Sequence, residues 1–208
     1  MSVLLVGSSH VQRLGEHVAT KCRLHNFNIQ ECNVKCVGIS GGQIMKSGHT
    51  RLLENSIKFH APSHVIVHIG GNDLDSREYG SAEPAVLELM DKLILLIATM
   101  VKRYNIKQAV ICQLLPRFRT RIVPVDRYNK LVTLFNRKLK ESVMPFHIKY
   151  WNLKGLSNSP NVYYDGVHLN ATGLHKYYRN LRGAILHCLR QSKCDISFFP
   201  ADSKSILP

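Results

Sequence analysis

No stretch of this 208-residue chain approaches the roughly 18–20 consecutive apolar residues that a membrane-spanning helix needs. The longest run, "LILLIATMV" at 93–101, is bounded by Lys92 and Lys102 inside an amphipathic pattern, so it reads as a buried helix and no membrane span is expected. No targeting leader is expected either. The start "MSVLLVGSSH" has neither a basic segment nor a small-residue cleavage site, and its apolar run from Val3 to Val6 is of strand length. The chain is therefore expected to begin directly with structure and to work in the cytoplasm. Repeats and low-complexity tracts are absent, and with 45% hydrophobic residues the length suffices for one sizeable core but not comfortably for two. We expect one domain over residues 1–190, followed at 191–208 by a tail that includes "SKCDISFFPADSKSILP" and has no regular pattern, although Phe198 and Phe199 offer it a way to dock.

Framework cysteine spacing is lacking too. Cys22, Cys32, Cys36, Cys112, Cys188 and Cys194 are scattered, which fits a reducing compartment in which they stay thiols. Cys32 and Cys36 are spaced C-x₃-C, but no second pair follows at finger spacing, so zinc is not expected there. Acidic residues are scarce in one half only. Residues 101–208 hold five against nineteen Lys and Arg, while residues 1–100 are balanced at nine each, so the whole formal excess of +14 lies in the second half. Its densest part, "RFRTRIVPVDRYNKLVTLFNRKLK", is either a surface for a polyanion such as RNA or an ordinary solvated helix and loop.

What is present is an alternation. "VLLV" at 3–6 precedes a helical pattern carrying Val11, Leu14 and Val18 on one face; "NVKCV" precedes 44–58; "HVIVHI" at 64–69 precedes 84–104; and "QAVICQLL" at 108–115 precedes 127–142. A weak strand near "HIKYW" and a last helix at 171–189 complete the series. Apolar, β-branched strands separated by helices describe an α/β fold with a parallel sheet of about five strands covered on both faces. Ser81, Asp126 and Asn170 are candidate helix caps, and Pro84 falls in a first turn, where its missing N–H costs nothing.

In such sheets ligands collect at the carboxyl ends of the strands. There the sequence puts "GSSH" at 7–10, "GISGG" at 38–42, "GGND" at 70–73 and "QLLPR" at 113–117. Glycine lets the backbone turn sharply and present its N–H to developing negative charge, and Asn72 adds a side-chain donor. Beside a serine, such donors form an oxyanion hole, and Asp165 and His168 in "DGVH" supply a base and the acid that orients it.

These four blocks, "GSS" at 7–9, "ISGG" at 39–42, "GGND" at 70–73 and "DGVH" at 165–168, resemble in content and order those of the SGNH (GDSL-type) hydrolases, from residue 3 to about 189. The resemblance implies Ser9 as nucleophile, His168 as base and Asp165 as its orienting acid. It implies an oxyanion hole made of the Ser9 N–H, the Gly41 N–H and the Asn72 side chain. It further implies a flavodoxin-like three-layer α/β/α sandwich, no metal or cofactor, and cleavage of esters of lipids, acetylated sugars or small acyl groups. Ser8 stands where the family usually has aspartate, a change of turn geometry rather than of the charged triad member. A looser likeness, in "VGSSHVQRL" and "DGVHLNATGLHKYYRNLRGAI", is to esterase-type domains of mobile-element origin, some of them in the first open reading frame of non-LTR retrotransposons, whose product binds RNA and membranes.

A rival serine exists. "GISGG" also satisfies G-x-S-x-G, with Ser40 as nucleophile in the chain order Ser40, Asp165, His168. Against it stand the shortness of the pattern, the modest chain length, and an acid only three residues before the histidine, which is the SGNH arrangement. A metal hydrolase built on Asp165, His168 and a third ligand such as His10 is a further alternative, without the paired spacing zinc sites use. His68, within a strand, is expected to be a buried, hydrogen-bonded core residue. Taken singly, Gly38, Gly41, Gly42, Asn72, Asp73 and Asp165 each have turn or cap readings; their joint placement at one sheet edge favours catalysis. The loops 73–83 and 115–126 are expected to rim the site, with Arg117, Arg119 and Arg121 as a basic edge suited to an anionic substrate or surface.

Overall fold

The computed structural model describes residues 1–76, 81–142, 145, 147–157 and 159–196, with side chains described up to residue 191. The expected tail docking through Phe198 and Phe199 lies outside these residues. Five short strands, β1 (Ser2–Gly7), β2 (Asn33–Gly38), β3 (His64–His68), β4 (Gln108–Cys112) and β5 (Ile148–Trp151), form one sheet. Their order is β2-β1-β3-β4-β5, and every neighbouring pair is parallel. The register Val3↔His64 through Gly7↔His68 aligns the ends of β1 and β3. This is the order of a doubly wound sheet whose direction of winding reverses between β1 and β3, the place where such folds bind ligands.

The central strands β1, β3 and β4 are buried on both sides because both faces are covered, whereas the edge strands β2 and β5 keep exposed Asn33, Lys35 and Lys149. Leu4, Val6, Val65 and Val67 face a core closed by α2 (Ser47–His60), α4 (Ala82–Arg103) and α5 (Val125–Glu141). Val3, Leu5 and Ile66 face a second core closed by α1 (Ser9–Ala19) and α6 (Ala171–Ile196). Alternate residues of one strand thus feed opposite layers, which makes the three-layer α/β/α sandwich. The α4 segment is a core helix, and among the described residues no helix is long and apolar enough to cross a membrane.

Several element ends depart from the sequence reading for identifiable reasons. Helix α2 starts at Ser47 rather than residue 44, because the N–H groups of Ile44 and Met45 are taken by the Asp73 carboxylate at 3.0 and 2.8 Å. Strand β4 ends at Cys112, and Leu114 beyond it is tied by both backbone groups to the Asn136 side chain. Asp126 is not a cap. Pro124 occupies that position and Asp126 lies in the first turn of α5, where its charge meets the positive end of the helix. Ser81 does precede α4 but makes no side-chain capping bond, whereas Asn170 accepts the Gly173 N–H at 3.0 Å and caps α6. That helix runs to Ile196, beyond the end expected at residue 189. Between α1 and β2, the 3₁₀ segment Cys22–Asn28, which the periodicity does not announce, buries Phe27 against Tyr178 with ring centroids 5.2 Å apart. Cys22, Cys32, Cys36, Cys112 and Cys188 are free thiols.

Candidate active site

The blocks meet at the carboxyl edge of β1 and β3. Ser9 is the first residue of α1, immediately past β1, so its backbone N–H is one of the four at a helix start that have no partner within the helix. Its hydroxyl lies 3.2 Å from Nε2 of His168, across 159 residues of sequence. His168 Nδ1 lies 2.7 Å from Asp165 Oδ2. The other carboxylate oxygen, Oδ1, accepts the backbone N–H groups of His168 and Val167 at 2.6 and 2.9 Å. That clasp needs a tight turn at Gly166 (φ +80°), where a Cβ would come within 2.9 Å of Arg119. Burial works against the Asp165 charge, but the hydrogen bonds from the His168 ring and from the His168 and Val167 N–H groups outweigh it and hold the carboxyl well below the usual carboxylate range. An ionised Asp165 at Nδ1 fixes the imidazole tautomer with the proton on Nδ1, which leaves Nε2 as an acceptor facing Ser9 Oγ.

The donors expected around the serine are set by a second group of contacts. Asn72 is 7% exposed in the short helical turn Gly71–Leu74 that follows β3, and its Nδ2 donates to the Gly42 carbonyl at 3.0 Å. Gln43 Nε2 donates to the Asn72 carbonyl at 3.0 Å, and the Asp73 carboxylate holds Ile44 and Met45, so the 41–45 loop is fastened to the turn after β3. Gly41, at φ +65°, is exposed in this loop, and among the described residues its N–H has no protein acceptor. Ser40 lies beside it in an exposed turn, seven residues ahead of the first residue of α2, rather than in a strand-to-helix elbow, and the imidazole Nε2 faces Ser9 instead.

Behind Ser9 and His168 lie two more imidazoles. His68 is 3% exposed and its Nδ1 pairs with the Tyr177 hydroxyl, the core role expected of it. His10 stacks on His68 at 5.5 Å and sits 6.0 Å from the His168 ring. Its Nδ1 is buried and, among the described residues, has no hydrogen-bond partner. Burial first, then the neighbouring His68, His168, Arg117 and Arg13, push the His10 pKa well below its ordinary value, so it is neutral. Among the described residues no three His, Cys, Asp or Glu side chains gather as a metal-holding group.

A profile of the family described as GDSL-like Lipase/Acylhydrolase matches residues 7–181. The chain belongs to this family. Solved structures agree at the level of fold. A lipase/acylhydrolase from Enterococcus faecalis is 13% identical, with 88% of this chain and 94% of that one covered at a TM-score of 0.57. An acetylxylan esterase from Geobacillus stearothermophilus is 17% identical, with 86% and 91% covered at 0.54. The acetyl xylan esterase AlAXEase is 19% identical, with 89% and 100% covered at 0.56. Among curated protein sequences nothing matches.

Within this GDSL-family fold one expectation is overturned. Arg117 is not part of a basic rim: it is 8% exposed, its Nη1 donates to Asp75 Oδ2 at 2.7 Å, and its Nη2 donates to Asn72 Oδ1 at 2.7 Å. Arg119 and Arg121 are exposed as expected, although the Arg121 backbone N–H also binds Asp75. The partnership of Asp75 and Arg117 was missed because a run such as R-F-R-T-R reads locally as solvated charge. A signal did exist: Asp75 follows β3 and Arg117 follows the adjacent β4, so the two loops are neighbours once the strand order is known.

Proposed function

We propose that the protein hydrolyses carboxylic esters, with Ser9 as nucleophile, His168 as general base and acid, and Asp165 as the group that orients and charges the imidazole. The observation that carries this reading is the continuous chain from Asp165 Oδ2 to His168 Nδ1 at 2.7 Å and from His168 Nε2 to Ser9 Oγ at 3.2 Å. Ser9 Oγ attacks the ester carbonyl carbon while its proton passes to His168 Nε2. The carbonyl oxygen becomes an oxyanion held by the Ser9 N–H, the Gly41 N–H and the second hydrogen of Asn72 Nδ2. Collapse of this intermediate breaks the bond to the alcohol oxygen, which leaves with the proton from His168. Water then gives a proton to His168, attacks the acyl carbon and releases the acid, restoring the Ser9 hydroxyl.

The geometry supports no particular ester. A cleft of about 370 Å³ between the 113–118 loop and α5, lined by Gln113, Phe118, Asn129, Asn136 and Ser157 among others, adjoins the histidine loop through the Phe118 N–H, which donates to the Gly166 carbonyl at 2.7 Å. The acetylated xylans named for two of the structural neighbours are the first compounds to screen. The expectation of polyanion contact now rests on Arg127, Lys130, Arg137 and Lys140, exposed along α5, which also describe the ordinary solvated face of an amphipathic helix.

A fluorophosphonate probe tests the esterase reading. It is expected to label the wild-type protein and Ser40→Ala and to leave Ser9→Ala unlabelled. Labelling that survives Ser9→Ala and disappears in Ser40→Ala would overturn it. Absence of labelling, together with RNA retention that weakens steeply with salt, would favour a binding module on the same fold.

A further inference from the structure

Arg117 occupies a position that neither a surface charge nor a simple ion pair explains. Its guanidinium divides its two terminal nitrogens between a carboxylate, Asp75 Oδ2, and an amide oxygen, Asn72 Oδ1, each at 2.7 Å. Both partners are buried, Asn72 at 7% and Asp75 at 1% exposure. The arginine is itself held in place. Its backbone N–H donates to Asn129 Oδ1 at 2.9 Å, its carbonyl accepts from Asn129 Nδ2 at 2.8 Å, and its guanidinium lies over the Tyr128 ring at 5.0 Å. Asp75 is fixed in turn by the backbone N–H groups of Arg121, Ile122 and Val123 at 3.1 to 3.3 Å.

A guanidinium carries only donors, so the atom of Asn72 that faces Nη2 has to be the carbonyl oxygen. The flipped amide would set NH₂ against NH₂ where Asn72 and Arg117 are only 7% and 8% exposed. With Oδ1 fixed in this way, Nδ2 is turned the other way, where one hydrogen goes to the Gly42 carbonyl at 3.0 Å and the second is left for a ligand. The charge on the guanidinium also draws electron density toward Oδ1 and makes the Nδ2 hydrogens better donors.

We infer that Arg117 is a positioning residue that selects the amide orientation of Asn72 and holds its free N–H where an oxyanion forms. The inference rests on the esterase reading for its chemistry, but the orientation it assigns exists without turnover. Lysine cannot replace it, because an ammonium is a point charge without the planar fork that spans two acceptors.

The test is a cycle with Arg117→Lys, Asn72→Ala and the double variant, assayed in the full chain on a short-chain nitrophenyl ester, with melting curves to confirm folding. Arg117→Lys is expected to lower kcat by about 10- to 100-fold, within what one oxyanion donor supplies, with little change in KM. In the Asn72→Ala background the same change is expected to cost almost nothing. An equal loss in both backgrounds, or no loss in the wild-type background, would overturn the inference. If Arg117→Lys does not fold, the paired variant Asp75→Asn/Arg117→Gln removes both buried charges together and enters the same cycle. NMR of the Asn72 side-chain NH₂ reads the orientation in the resting protein: two well-resolved, rigid signals in wild type that become mobile or exchange-broadened in Arg117→Lys support the inference, and unchanged signals contradict it. Turnover that persists in Ser9→Ala would remove Ser9 as the nucleophile and leave the amide measurement to judge Arg117.

Discussion

Two chains of three polar groups converge on this sheet edge, and they differ in burial. Asp165, His168 and Ser9 form one; Asp75, Arg117 and Asn72 form the other. In each, a carboxylate clasped by backbone N–H groups orients a nitrogen-bearing side chain, which orients a third group. In the first, the side chains of Asp165 and His168 are 33% and 23% exposed; in the second, those of Asp75 and Arg117 are 0% and 9% exposed. A chain that moves a proton needs a titratable middle member with access to substrate and water. One that only holds a donor works best dry, around a planar guanidinium fork that spans two acceptors. Under the proposed reading, the same motif of orientation serves transfer in one case and rigidity in the other.

Perturbing the exposed chain is expected to have the larger effect. Asp165→Asn leaves the loop near its present shape but favours the wrong imidazole tautomer, and kcat is expected to fall by on the order of 10⁴ in steady-state ester hydrolysis. A loss confined to KM would separate Asp165 from the proton-transferring chain. In the buried chain, Asn72→Ala is expected to cost on the order of 10²–10³ in kcat, the typical contribution of one oxyanion donor. Unchanged turnover would remove Asn72 from the oxyanion hole.

A smaller, pH-dependent effect comes from the imidazoles that neither chain uses. Burial pushes His68 down to about 4, and it does the same to His64. Both are therefore neutral in the folded protein at pH values where the unfolded chain is protonated, so the unfolded state binds more protons between about pH 6.5 and 4. Their contribution to stability is expected to fall as pH drops through that window and to be fully lost below it, by up to roughly 3 kcal/mol for His68 alone. Urea midpoints measured from about pH 7 to about pH 4 check this, and His68→Gln is expected to flatten the slope. The lowered carboxyl of Asp165 acts below this window, so the two contributions are separable.

The sequence and the structure agree where the signals are local. Apolar strands of four or five residues between amphipathic segments announce β1, β3 and β4, and the glycine-bearing blocks after β1, β2 and β3 mark the turns that lead to Ser9, Gly41 and Asn72. Asp165 and His168 are legible as a pair because their clasp spans only three residues. Long-range partnerships are not legible in this way. Asp73 delays the start of α2 from 28 or 29 residues away, and Arg117 reaches Asp75 and Asn72 from 42 and 45 residues away. Whether such a charge is solvated or buried depends on the partner the fold brings to it, and no window of neighbouring residues contains that information. Asp126 shows the same limit on a smaller scale, since only the path of the chain through Pro124 decides which residue precedes the first helical turn.

The claim most open to direct test is that the Ser9 oxygen carries the acyl group between the two halves of the reaction. Rapid quenching of the protein during turnover of a short-chain nitrophenyl ester, followed by peptide mass spectrometry, reads this. An acyl adduct is expected on the peptide containing Ser9, and no adduct anywhere in Ser9→Ala. An adduct on Ser40, or full turnover by Ser9→Ala, would contradict it.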